Sequence, residues 1–318
     1  MHDQPLPRSI GELEVQRASA PKSKAEERAR YFNTGNAFDL KLPPVPGESF
    51  IDEPRRALDP RTPTGVISCD RSQQLGCKFP ATTPLVLTRY ARIRAEESLE
   101  TIFRASGVVV YVIAGQGSTE CGDERIDWQR GDLFVLPGSS SHRHKAGESD
   151  AVLWIVTNEP QLMFEHLQPP LAGDSPTEIV HFTSDEMSRQ IQLLYRIGRS
   201  DDIAGSALIL SSQEQEASRN VLPTLTVAMN TLPPGKSQRP HRHNSVAVAL
   251  VIQGENCYSV VDGKRKDWAP WATTVTPATS MHSHHNEGTQ FAMFLIVQDG
   301  GIYYHARAMG FAFADAAG

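Results

Sequence analysis

The chain carries a second copy of part of itself. Asp127-Trp128 recurs as Asp267-Trp268, Pro137 as Pro277 and His142 as His282, all at an offset of 140 residues. Slightly upstream, Val112-Ile113-Ala114-Gly115 matches Val251-Ile252-Gln253-Gly254 at an offset of 139, so the copies differ by a single-residue gap. Such a repeat constrains the architecture first, because each copy has to bury its apolar face in the same way. Both copies consist of short Val-, Ile-, Leu-, Thr- and Tyr-rich stretches separated by Gly, Pro, Asn or Asp, which predicts an all-β sandwich or barrel for each. Thr224 to Met229 alternates as a half-buried strand does, and Asp262-Gly263 marks a hairpin turn.

The rest of the chain is organised around the copies. Residues 1–83 are rich in proline and hold one charged helical patch, Lys24 to Phe32, which predicts an arm that wraps a neighbour or a barrel. The first copy spans 84–165, a helical connection 166–220, and the second copy with its tail 221–318. In the connection, Thr183 and Glu186 form a capping box ahead of Met187, Ile191 and Leu194 on one helical face, with Gly198 as the stop.

Charge and hydropathy remove several function classes. Thirty-one basic against 37 acidic residues argues against a binder of nucleic-acid phosphates. The longest apolar runs, Val108 to Ala114 and Val246 to Ile252, are too short for a membrane span, and the N-terminal residues lack a signal-peptide pattern. Four scattered cysteines without a CxxC pair are expected as reduced thiols, which with the foregoing predicts a cytoplasmic protein.

The chemistry concentrates in the second copy. His241 and His243 stand two apart on a predicted strand, so both imidazoles leave the same face, and His282 on a facing strand supplies a third. An HxH triplet alone is a weak signal, since His142-Arg143-His144 and His282-Ser283-His284 fit it too. The surrounding frame makes it specific: Gly235, His241, His243 and Gly254, followed by Pro277, His282 and Asn286.

In that frame the sequence resembles the cupin family, whose motifs are G-x5-HxH-x3,4-E-x6-G and G-x5-P-x-G-x2-H-x3-N. The acidic position is Ala247 here, and the glycines of the second motif are Trp271 and Thr279. The first copy keeps Gly115, Gly131, Pro137 and His142 but shows Ile102 and Arg104 at the offset of the histidine pair, so it is similar to a cupin without its metal site. The expected fold is therefore all-β, a bicupin of two tandem jelly-roll barrels.

Pro223-Thr224-Leu225, Leu232-Pro233-Pro234-Gly235, Pro240 to His243 and Asn286 to Thr289 resemble the bicupin dioxygenases that cleave gentisate, salicylate and 1-hydroxy-2-naphthoate. This resemblance implies Fe(II) held by His241, His243 and His282, a homotetramer, and O2-dependent cleavage between the hydroxyl- and carboxyl-bearing ring carbons of an aromatic hydroxy acid. It also places His284 where the family has a substrate-binding histidine, as hydrogen-bond partner or proton acceptor, and Asn230 where gentisate-type enzymes carry a pocket glutamine. Two family positions depart: the carboxylate-binding arginine is Ala249 and the pocket aspartate is Ile296, which disfavours gentisate and favours substituted salicylates or naphthoates.

Three neutral imidazoles leave a divalent ion its full charge and open positions, which suits a chelating dianion and dioxygen. They equally suit a zinc-hydroxide site. A metal-dependent hydrolase, isomerase or diketone-cleaving cupin, and a non-catalytic ligand-binding bicupin, therefore stand as alternatives. Trp268, matched by Trp128 in the metal-poor copy, is expected mainly as core, and His285 as structural.

Overall fold

The computed structural model describes residues 7–197 and 206–314. Residues 1–43 and 44–318 form two compact units. Within the first, Ser23 caps the short helix Lys24–Arg28, which is shorter than the patch in the sequence, and Gln16 bridges to Tyr31.

The second unit contains both barrels, each made of a large and a small antiparallel sheet. In the first barrel, the large sheet runs in the order Val180–Phe182, Leu133–Pro137, Gly107–Ala114, Ala151–Thr157, Leu87–Ile93 and Gly65–Ser68. Its small sheet comprises Ser98–Thr101, His142–Ala146, Gln116–Cys121 and Glu124–Gln129. In the second barrel, Ser49–Phe50, Thr273–Thr276, Ala247–Gln253, Ala292–Gln298, Thr226–Leu232 and Ser206–Leu210 make the large sheet. Lys264–Asp267, Cys257–Val261, His282–Asn286, His241–His243 and Phe311–Phe313 make the small one.

Both flanking segments do more than the sequence indicates. The part of the arm after Pro43 lends an edge strand to each barrel, Ser49–Phe50 to the second and Gly65–Ser68 to the first. The connection holds the helix Ser184–Ile197, with Glu186 N donating to Thr183 Oγ1, and also supplies Val180–Phe182 to the first barrel and Ser206–Leu210 to the second. The stop at Gly198 lies outside the described residues.

Alternation along the strands decides where the core goes. Val109, Tyr111, Ile113 and Trp154 leave the first large sheet on its outer face and meet Val227, Met229, Val248, Leu250 and Val297 from the second, forming one core between the barrels. Tyr90 OH and Trp154 Nε1 both reach Thr273 Oγ1, at 2.7 and 2.8 Å, so the polar tips of this aromatic layer are satisfied across the junction. Val108, Val110, Val112, Phe103, Ile155 and Phe134 fill the interior of the first barrel. The interior of the second holds a smaller cluster among the described residues, Leu232, Cys257 and Ala292 with Trp268 packed against them, and Phe294 lies against Trp268.

Candidate metal centre

His241 pairs with His282 across adjacent strands, and alternation puts His243 on the same inner face. The three imidazoles are buried, and one ligand atom from each lies within 4.8 Å of the others. Their Nδ1 atoms share a device: each lies against a main-chain carbonyl, His241 on Arg239 O at 2.9 Å, His243 on Ser245 O at 2.8 Å and His282 on Ser280 O at 2.9 Å. A carbonyl only accepts, so Nδ1 carries the proton and each Nε2 keeps its lone pair for a cation. Burial lowers the pKa of all three, and that of His282 falls to about 3, with His241 adding repulsion. The rings are thus neutral near pH 7, the form in which imidazole binds a metal. This donor set fits a divalent ion with three nitrogen ligands and open positions.

Trp271 and Thr279 replace the glycines of the family motif without changing the backbone: their φ values are +61° and +66°, as the equivalent Gly131 has +93° in the first barrel. Thr279 N donates to His243 O at 2.7 Å, so this left-handed turn anchors the ligand strand from behind. Asn286 closes the other end, its Nδ2 donating to Leu232 O and Gln290 O at 2.8 Å each.

A cavity of about 1010 Å³ opens from the three histidines. Its floor is the inner face of the large sheet, where Ala228 pairs with Ile296 and Ile296 with Ala249, an apolar row where gentisate-type enzymes are expected to place charges. Asn230 and His284 line the cavity with Gln298, and Arg219 and Arg307 stand on its wall. Among the described residues no aspartate or glutamate lines it, so this part of the pocket favours an anion. His284 is buried, and its Nδ1 meets Ser259 Oγ at 2.7 Å.

Several lining residues were not singled out in the sequence. Gln298 stands two residues beyond Ile296, and the period of a strand is the signal that marks it. Arg219 and Arg307 sit at turns in left-handed conformation, with φ of +57° each, and Phe311 stacks on His241 at 5.3 Å from a three-residue strand. Nothing periodic points to these three.

The first barrel requires one correction. Thr101 pairs with His142 as His241 pairs with His282, so the residues at the ligand positions are Thr101 and Phe103, not Ile102 and Arg104. Ile102 is 71% exposed, whereas Phe103 is buried. The gap between the copies therefore falls after Phe103. A hydroxyl and a phenyl ring beside His142 do not make a cation site. His142 and His144 are fully buried there, with His142 Nε2 on Pro137 O at 2.8 Å. His285, stacked on Tyr258 with centroids 4.6 Å apart, faces away from the cavity.

Comparisons with known proteins agree with this geometry. Residues 228–298 match the cupin domain family. A 5-aminosalicylate 1,2-dioxygenase of Comamonas sp is 37% identical over 79 residues, 25% of this chain and 21% of that protein. A gentisate 1,2-dioxygenase of Ralstonia sp is 30% identical over 82 residues, 26% of this chain and 23% of that protein. The matched stretch thus spans about a fifth of the length of these curated relatives. A crystal structure of salicylate 1,2-dioxygenase from Pseudaminobacter salicylatoxidans superposes with a TM-score of 0.72 at 16% identity, covering 87% of this chain and 91% of that one. The chain accordingly has the bicupin fold, and its second barrel is a cupin domain. No helix among the described residues is long and apolar enough to cross a membrane.

Proposed function

We propose that this bicupin is an Fe(II)-dependent dioxygenase that cleaves the ring of a salicylate-like hydroxy acid between its hydroxyl- and carboxyl-bearing carbons. The observation that carries the reading is the three-imidazole group, without a carboxylate, at the end of a cavity that no acidic side chain lines among the described residues. When bound, the iron supplies a centre at which the acid and dioxygen meet and exchange electrons.

The residues of the chain do the rest. His241, His243 and His282 hold the ion and leave its charge uncompensated, so an anionic ligand is favoured. His284 and Asn230 border the space where the phenolate and carboxylate oxygens lie. Ala228, Ala249 and Ile296 form an apolar floor that accommodates an unsubstituted, apolar-substituted or fused ring and leaves a second ring hydroxyl without a partner. The likeness to aminosalicylate, gentisate and hydroxynaphthoate dioxygenases over the metal-binding stretch supports the same reaction class.

The test is oxygen uptake by anaerobically Fe(II)-loaded protein with salicylate, 5-substituted salicylates, gentisate and 1-hydroxy-2-naphthoate, following the absorbance of a ring-opened product. Uptake is expected with a salicylate or naphthoate in preference to gentisate. One bound metal per chain without uptake on any of these acids would overturn the proposal in favour of a non-oxygenase cupin.

A further inference from the structure

Both barrels contain an equivalent chain of three side chains, buried throughout in the first barrel and with a half-buried indole in the second. In the second, Trp268 Nε1 donates to Ser259 Oγ at 2.8 Å, and Ser259 Oγ lies 2.7 Å from His284 Nδ1. In the first, Trp128 Nε1 donates to Thr119 Oγ1 at 2.9 Å, and Thr119 Oγ1 lies 2.8 Å from His144 Nδ1. All three members are 140 residues apart. Both relays pass through a hydroxyl, of Ser259 or Thr119, and they part at their far end. His144 Nε2 is covered by Thr101 Oγ1 at 3.3 Å, whereas Thr101 is replaced by His241 in the second barrel and His284 Nε2 has no protein partner among the described residues. His284 lines the cavity.

We propose that Trp268 and Ser259 are positioning residues that hold His284 as its Nε2–H tautomer, so that it meets the ligand as a hydrogen-bond donor and takes no proton from it. The indole N–H only donates, so Ser259 Oγ accepts from Trp268. Ser259 is buried and has one proton of its own, for which His284 Nδ1 is the acceptor within reach. Nδ1 therefore offers a lone pair, and the ring proton resides on Nε2. The three neighbouring histidines are arranged the opposite way, each Nδ1–H on a carbonyl. The pocket thus sorts four imidazoles by what lies behind them: carbonyls make three metal ligands, and a hydroxyl makes one donor that has no lone pair left for the metal.

This deepens the proposed function, since it rests on an anionic oxygen of the acid lying beside His284, but its first test needs no turnover. Nitrogen-15 spectra of histidine-labelled protein loaded with zinc, with His284 assigned by His284→Gln, are expected to show a lone-pair Nδ1 and a protonated Nε2. A protonated Nδ1 in the wild type would overturn the proposal. In the same zinc protein, Ser259→Ala is expected to weaken salicylate binding about tenfold, while Ser259→Thr, which restores the hydroxyl used in the first barrel, stays within about twofold. Thr119→Ala breaks the equivalent relay away from the cavity and is expected to leave binding within about twofold. Equal losses in Ser259→Ala and Thr119→Ala would reduce the relay to a fold element and refute the positioning role. Salicylate failing to bind wild-type zinc protein would count against the ligand class, while the spectrum still decides the tautomer.

Discussion

If Thr101 and Phe103 occupy the ligand positions of the first barrel, then Thr101→His with Phe103→His should build a second metal site around His142. The cross-strand register supports this, since Thr101 faces His142 as His241 faces His282. Volume is nearly conserved, because the ring gained at 101 offsets the carbon lost at 103. The cost comes from polarity: the phenyl ring of Phe103 is only 7% exposed, and giving up its burial costs about 2 kcal/mol. Loss of the 3.3 Å contact from Thr101 to His144 adds about 1 kcal/mol. In chelator, the variant should therefore melt roughly 5–10 °C below the wild type. Zinc at a hundredfold excess over its dissociation constant returns about 2.7 kcal/mol and should nearly close that difference. Metal analysis should find two ions per chain against one in the wild type. A variant that keeps a single ion, and gains no more from zinc than the wild type does, would refute the assignment of these positions.

His282→Ala should abolish metal retention and activity together, and near-normal metal content by elemental analysis would remove it from the ligand set. His284→Ala should keep the metal and lower kcat/KM roughly a hundredfold, and loss of the metal would instead make it a ligand. Asp299 is buried, and burial raises its pKa from 3.8 to about 6 despite the bond its Oδ1 accepts from Val246 N. Because the folded state holds this proton more tightly than the unfolded chain does, the penalty is full above pH 6 and disappears below about 3.8. Asp299→Asn keeps the acceptor and should stabilise by up to about 3 kcal/mol at pH 7.5, with the gain shrinking toward pH 4 in urea titrations; a gain independent of pH would contradict the charge argument. Thr279→Gly should add about 1 kcal/mol by relieving a left-handed β-branched residue, measured in the same titrations, and a net loss would show that the threonine side chain contributes more than its backbone costs.

The three-histidine face was legible because a strand has period two: His241 and His243 have to share a face, and the Pro277 to His282 spacing names the facing strand. The vacant face of the first barrel was misplaced for an equally physical reason. Landmarks at Gly115 and Gly254 lie downstream of the single-residue gap, and the ligand strand lies upstream of it, so the offset carried across was wrong by one. In a strand, an error of one exchanges inside for outside, which is why exposed Ile102 stood in for buried Phe103. The indole of Trp268 was legible as apolar bulk, as its twin Trp128 indicated, but the hydrogen bond from its nitrogen depends on a partner nine residues away that only folding brings close. The open cavity did leave a trace in side-chain size. The inward positions Val108, Val110 and Ile155 of the first barrel correspond to Ala247, Ala249 and Ile296 of the second. Two valines fill what two alanines leave open, and Phe103 fills where His243 would ligate. The absence of a three-histidine group and the filled interior thus go together in the first barrel. Once no ion holds polar side chains apart in an interior, apolar ones lower the free energy by occupying it.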